Sequence, residues 1–169
     1  MSLAEVDRDK PITKNEKDKA DIQLLKHWLK LIYRDPYYTK NMRELLYHDS
    51  PEYYEIFPTH KKISKTNKDI LLVSHDLSES GAPRIVYEMA LNFIEMGHFV
   101  VVIAPTDGPI KNKLQEIGVT VIIDSLILKN HDSSLNIAKN FDIVIGNTVV
   151  CWPIVMPLCK FTDVIIYSH

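Results

Sequence analysis

What this sequence lacks narrows it first. Only two cysteines occur in 169 residues, Cys151 and Cys159, and both sit among apolar neighbours with no histidine cluster nearby. That excludes a zinc finger or a disulfide framework and leaves two free thiols suited to a reducing compartment. Glycine is scarce, five in all, and neither G-x-G-x-x-G nor G-x-x-x-x-G-K-[ST] is present, so the dinucleotide and P-loop fingerprints are missing. No apolar run approaches the roughly 20 residues that span a bilayer. The first nineteen residues have no apolar stretch of the kind a secretory signal carries. Charge of one sign is lacking as well. The formal net charge is -2, without the concentrated basic face that nucleic acid demands. Most lysines and arginines precede Asp69, but acidic residues nearly balance them there. These absences predict a cytoplasmic protein with no nucleic-acid partner; peripheral attachment at the inner face of a membrane stays open.

What is present divides into two textures. Residues 1–19 are charged and aperiodic, the pattern of a mobile N-terminus. A helical extension is expected over residues 20–60. Leu25, Trp28, Leu29 and Ile32 recur at helical spacing over residues 20–34, and Pro36 closes that segment. Met42, Leu45 and Leu46 mark a second helix over residues 39–47. Ser50-Pro51 reads as a cap and first turn of a third, which stops by Phe57 before Pro58. The aromatic stripe of this extension (Trp28, Tyr33, Tyr37, Tyr38, Tyr53, Tyr54) suits packing against the rest of the chain or a homodimer contact, with sugar stacking as the alternative.

Residues 69–169 read as an α/β domain. Short apolar runs at residues 69–74, 99–104, 119–123, 142–145 and 164–167 suit strands buried on both faces of a parallel sheet. Helical patterns alternate with them at residues 84–96, 110–117 and 133–140, and a kinked helix is expected over residues 149–160, interrupted by Pro153 and Pro157. The alternation predicts a Rossmann-like parallel sheet of about five strands. The stop on a strand suggests a longer protein, because such a strand normally gains a covering helix.

Ligands of open α/β sheets bind outside the carboxyl ends of the strands. Four segments therefore carry the chemistry: residues 74–84, 105–108, 146–148 and 168–169. Gly81 at a helix N-terminus lets backbone approach an anion such as a diphosphate; the bland alternative is a tight turn with Ser78 or Ser80 as helix cap. Ser74-His75-Asp76 resembles a hydrolase triad only in letters, since consecutive strand-end residues point in alternating directions. Asn147 and Thr148 offer an amide and a hydroxyl for hydroxyl-rich ligands, or a cap for the next helix. Asp107 reads as part of a turn. His169 is the one ionisable group directly after the last strand. No carboxylate pair sits at the strand ends, so no metal is implied.

The ordered set SHDLSESGAPRIVYEMALNFIEMGHFVVVIAP (residues 74–105), DGPIKNKLQEIGVTVI (107–122), FDIVIGNT (141–148) and VIIYSH (164–169) resembles the N-terminal domain of retaining GT-B glycosyltransferases, the group 1 or family 4-like kind. That family usually pairs two glycines in the first loop; here Ser80 stands at the first position and Gly81 at the second. The resemblance implies an acceptor-side domain of a glycosyltransferase. Its partners would be a nucleotide-sugar donor, a substrate rather than a cofactor, and a glycan, lipid-linked or protein acceptor. Ser80 and Gly81 would approach the donor's diphosphate or sugar, and Asn147 and Thr148 would line the cleft. His169 would be catalytic, beside the transferred sugar. The isolated chain is expected to transfer nothing, because the nucleotide-binding C-terminal domain of that family is not part of this sequence. The rival readings are a flavodoxin- or receiver-like nucleotide-binding or signalling module, and a non-catalytic transferase-like partner subunit.

Overall fold

The computed structural model describes Lys19, Ala20, Gln23, Lys61 and residues 54–59, 67–129 and 137–168. Lys19, Ala20 and Gln23 are helical. The expectations for the mobile N-terminus, for the helices of residues 20–34 and 39–47 and for His169 otherwise lie outside the described residues.

Among the described residues six strands form one sheet. They are β1 (Glu55–Phe57), β2 (Asp69–Val73), β3 (Phe99–Ala104), β4 (Thr120–Ile123), β5 (Ile143–Asn147) and β6 (Asp163–Tyr167). Their order is β1-β4-β3-β2-β5-β6. Strands β2 to β6 are mutually parallel, with Leu72 opposite Val102 on one side and Ile145 on the other. The chain lays β3 and β4 on one side of β2 and then returns to lay β5 and β6 on the other, so the strand order reverses between β2 and β5. This is the Rossmann-like α/β fold that the apolar runs predict.

β1 is a correction. The segment expected to end a helix at Phe57 is an edge strand over its described part, antiparallel to β4 with Ile56 opposite Ile122. Thr59 donates from its hydroxyl to the Gln115 carbonyl at 2.9 Å, and the Gln115 side-chain amide donates a hydrogen bond to the Pro58 carbonyl at 2.7 Å. Three residues are too few to show a period. A partner strand distant in sequence decided their conformation.

β2 and β3 are buried along their whole length, and successive side chains alternate between two cores. Ile70, Leu72, Val100 and Val102 pack under two helices, α1 (Gly81–Glu95) and α2 (Ile110–Ile117), which contribute Val86, Ala90, Ile110 and Leu114. Leu71, Val73, Val101 and Ile103 face the opposite way, against Cys151, Ile154, Val155 and Leu158. α1 begins three residues before its apolar periodicity, with Pro83 in its first turn, where a missing N–H costs nothing. Each helix ends at a glycine with positive φ, Gly97 (80°) and Gly118 (113°).

The crossover from β5 to β6 is not a single kinked helix. It runs as a 3-10 turn (Val149–Cys151), one α turn, α3 (Trp152–Val155), and a second 3-10 stretch (Met156–Lys160). Pro153 and Pro157 each fall in the first turn of a new piece, because their absent N–H groups and rings break a continuous i to i−4 ladder. Of the helix expected over residues 133–140, the described part is helical only at Ile137 and Ala138.

Candidate functional site at the carboxyl rim

The reversal of strand order places the carboxyl ends of β2 and β5 side by side. From β2 the chain enters residues 74–80, a loop organised around one carboxylate. Asp76 Oδ1 accepts the Ser78 amide at 3.0 Å and the Ser78 hydroxyl at 2.9 Å, a side-chain turn of the kind aspartate favours. The hydroxyls of Ser78 and Ser80 are 3.0 Å apart. Ser78 has a single proton and gives it to the carboxylate, so Ser80 donates to Ser78. Ser80 occupies the N-cap position of α1, and its side chain accepts no helix amide. The capping alternative for Ser80 does not hold. The first-turn amides of α1 are left with no side-chain acceptor, at the positive end of the helix dipole.

Gly81 opens α1 and is exposed. A Cβ built there meets nothing within 4 Å, and its φ is not positive. Neither packing nor backbone geometry inside the chain requires a glycine at this position. Gly108 is the opposite case. Its Cβ would stand 2.2 Å from the Leu77 carbonyl oxygen, and Ile110 donates its amide to that same oxygen at 3.1 Å. The loop after β3 is thereby pressed onto the loop after β2. Asp107 is absorbed locally: it accepts the Gly108 amide and pairs with Lys111 one turn on.

The triad letters do no triad chemistry. The buried Ser74 hydroxyl donates to the Asp76 carbonyl at 2.7 Å, not to His75. His75 Nε2 lies 3.3 Å from Asp76 Oδ2, and its Nδ1 is buried without a partner.

β5 delivers the second half of the rim. Asn147 is fully buried, and its amide donates at 2.7 Å to the carbonyl of Ala82 in the first turn of α1. This bond joins the end of β5 to the Gly81 bend, so the two predicted clusters meet on one rim. Asn147 Oδ1 is left buried with no hydrogen bond, an unmade interaction of a kind that native interiors rarely tolerate. Thr148 follows with φ 80° and ψ 157°, a region nearly reserved for glycine and strained for a β-branched side chain. The strain is held by its amide, which donates to the Tyr167 carbonyl at 2.8 Å. Thr148 does not cap the turn after it. Its hydroxyl is buried without a well-formed hydrogen bond, and its polar neighbour is the Cys151 thiol.

Two basic residues passed over in the sequence reading complete the rim. Arg84 and Lys113 line a small pocket of about 140 Å³ with Glu79 and Ile110. Lys113 pairs with Glu79 at 2.7 Å and holds that carboxyl below its usual range. Arg84 stands on the exposed side of the same helical turn as Gly81, and no ion pair engages it among the described residues. Its position one turn into a helix that begins at a strand end was the signal available in the sequence. Among the described residues no group of three histidine, cysteine, aspartate or glutamate side chains is placed to hold a metal. A wider groove of about 720 Å³, lined by Lys68, Lys139, Asp142, Lys160 and Asp163 among others, lies at the amino ends of β2, β5 and β6. That is the rim away from the strand-order reversal.

A family model described as glycosyl-transferase family 4 matches residues 66–166, about three fifths of the chain. The chain belongs to glycosyltransferase family 4. The match begins just before β2 and covers every parallel strand through Ile166, so the family 4 region and the parallel part of the sheet coincide. Asn147, Thr148 and the Gly81 bend thus belong to a domain of transferase type, and β1 lies outside the matched residues. No curated protein and no solved structure matches the chain.

Proposed function

We propose that residues 66–169 form the acceptor-side domain of a GT-B glycosyltransferase that moves a sugar from a nucleotide-sugar to a glycan, lipid-linked or protein hydroxyl. The observation that carries this reading is the joined rim: an uncapped helix N-terminus with open space at Gly81, bonded through Asn147 and Ala82 to the end of β5. The donor's diphosphate is the anion that suits this end of α1, where backbone amides and the helix dipole act together. Ser80 and Gly81 let it approach, and Arg84 supplies a guanidinium one turn away, matched to a phosphate's geometry. Asn147 and Thr148, at the end of β5, line the cleft, Asn147 holding the β5 end to the first turn of α1 through the Ala82 carbonyl. His169, outside the described residues, is the candidate to hydrogen-bond the transferred sugar and stabilise charge as the acceptor hydroxyl loses its proton. No cofactor enters, and the nucleotide-sugar is consumed as substrate. This half-site on its own binds donor weakly and turns nothing over.

The test is an amide-resolved NMR titration of the chain with uridine- and guanosine-diphosphate sugars, with flavin mononucleotide as control. Shifts at Gly81, Ala82 and the Asn147 side-chain amide are expected with the sugars and none with the flavin. Silence at these positions with every nucleotide-sugar, or tighter binding of the flavin, would remove the proposal.

A further inference from the structure

The first turns of α1 and α2 meet at a small pocket walled by Glu79, Arg84, Ile110 and Lys113, with a volume of about 140 Å³. Sites for whole small molecules run to about 300–1,000 Å³, so this one has room for a single chemical group. The two helix starts are held together from below. Ile110 donates its amide to the Leu77 carbonyl at 3.1 Å, and the missing side chain of Gly108 lets the two loops touch.

The charges around the pocket are unequally met. Lys113 donates to Glu79 Oε1 at 2.7 Å. Arg84 has no ion pair and no side-chain hydrogen bond among the described residues, although a guanidinium carries five donors in a fixed fork. The hydrogen bond and charge of Lys113 hold the Glu79 carboxyl below its usual range, with a smaller pull from Arg84 in the same direction. One carboxylate therefore sits in the field of two cations, which leaves the pocket net positive. Both members of the ion pair are more than half exposed, at 52% and 59%, and pairs of that kind stabilise little. Lys111 shows the contrast, being taken up by Asp107 and by the face of the Phe57 ring at 4.0 Å.

We propose that this pocket is a subsite for one phosphate group, and that Glu79 is an internal stand-in which yields Lys113 when the phosphate arrives. The Arg84 fork meets two phosphate oxygens and the Lys113 ammonium meets a third. Glu79, released, turns into the solvent that already reaches it. A carboxylate ligand is the poorer occupant, because it brings no more charge than Glu79 and competes with a group tethered beside the site. A phosphate brings more oxygens and, as a monoester, nearly two charges. The inference rests on the donor-site reading only for the source of the phosphate, since Glu79 and Arg84 flank the Gly81 bend at which the donor's diphosphate is placed.

The test adds inorganic phosphate, methyl phosphate and uridine diphosphate glucose separately to the full chain at pH 7. NMR follows the Glu79 carboxyl carbon and the Lys113 side chain, which are expected to move together on one binding curve that weakens with salt. A response that includes uridine diphosphate glucose assigns the phosphate to the donor. A response to the two simple phosphates alone supports the subsite and removes the donor reading. Glu79→Gln should tighten binding by up to about fivefold, while Arg84→Gln and Lys113→Gln each weaken it about tenfold. With Glu79→Gln and Lys113→Gln combined, binding should fall about tenfold below that of Glu79→Gln. A double variant that binds as well as Glu79→Gln makes Lys113 a mere tie for the loop and overturns the proposal. Movement at Gly81 and Ala82 with the nucleotide-sugar while Glu79 and Lys113 stay still also overturns it and leaves the donor reading standing. Silence toward all three probes overturns it as well.

Discussion

At the scale of single residues, two glycines of the same rim answer to different demands. Gly108→Ala drives a methyl group into the Leu77 carbonyl and should cost about 1–3 kcal/mol by overpacking, read as a lower Tm. Gly81→Ala meets no protein atom, and alanine favours the helix. Its Tm should hold or rise slightly while any nucleotide-sugar response is lost. A fall in Tm with binding intact would return Gly81 to a purely structural role. The cysteines separate in the same manner. Cys151 is fully buried and Cys159 exposed, so one thiol of the native chain should react with a thiol reagent and two after denaturation. Burial pushes the Cys151 thiol up to about 11 from 9.0, against smaller opposing pulls from Thr148 and Asn147. An acid whose pKa is raised by folding contributes nothing unfavourable below its unfolded value. Above pH 9.0 the unfolded chain ionises while the folded one does not, so stability declines between pH 9 and about 11, by roughly 2–3 kcal/mol. Cys151→Ala should flatten that decline in denaturant melts across the range. Of these residues, only the placement of Gly81 at a helix start and of Asn147 and Thr148 at the end of a strand was legible in the sequence. The strain of Thr148 and the unpaired oxygen of Asn147 were not, because both arise from what the neighbouring β6 and α1 do to them.

At the scale of elements, the apolar runs of the parallel strands and the periodic helices behaved as their patterns demand, and two segments did not. α2 occupies residues 110–117 as expected, and β3 residues 99–104. β1 and the crossover after β5 escaped. In β1 three residues take their conformation from β4, more than sixty positions later; in the crossover two prolines cut an apolar run into turns too short to carry a period. The attachment of β1 can be tested through Gln115, which bonds the Pro58 carbonyl and whose own carbonyl receives Thr59. Gln115→Ala removes a buried hydrogen bond worth about 1 kcal/mol and leaves its partner unpaired. Amide exchange at Glu55 to Phe57 should quicken about tenfold, with exchange in β2 and β3 unchanged; uniform acceleration across the sheet would show that β1 is not a separate unit.

At the scale of the whole molecule, the two rims of the sheet have different chemistry. The carboxyl rim gathers an uncapped helix end, Arg84 and the Asn147–Thr148 bend. The amino rim gathers Lys68, Lys139 and Lys160, none of them in an ion pair among the described residues. In the nucleotide-sugar titration, shifts should therefore cluster in residues 74–84, 105–113 and 147–148 and leave Asn67, Lys68 and Asp163 untouched; movement at the amino rim instead would exchange the roles of the two. Among the described residues no helix is long and apolar enough to cross a membrane. What the sequence determined by itself was the layered α/β class, since doubly buried strands and amphipathic helices are local patterns of hydrophobicity that each segment carries with it. The order of the strands, the edge pairing of β1 and the bond from Asn147 to Ala82 were decided only in the tertiary structure. Each depends on which distant segments become neighbours, and no local pattern specifies that.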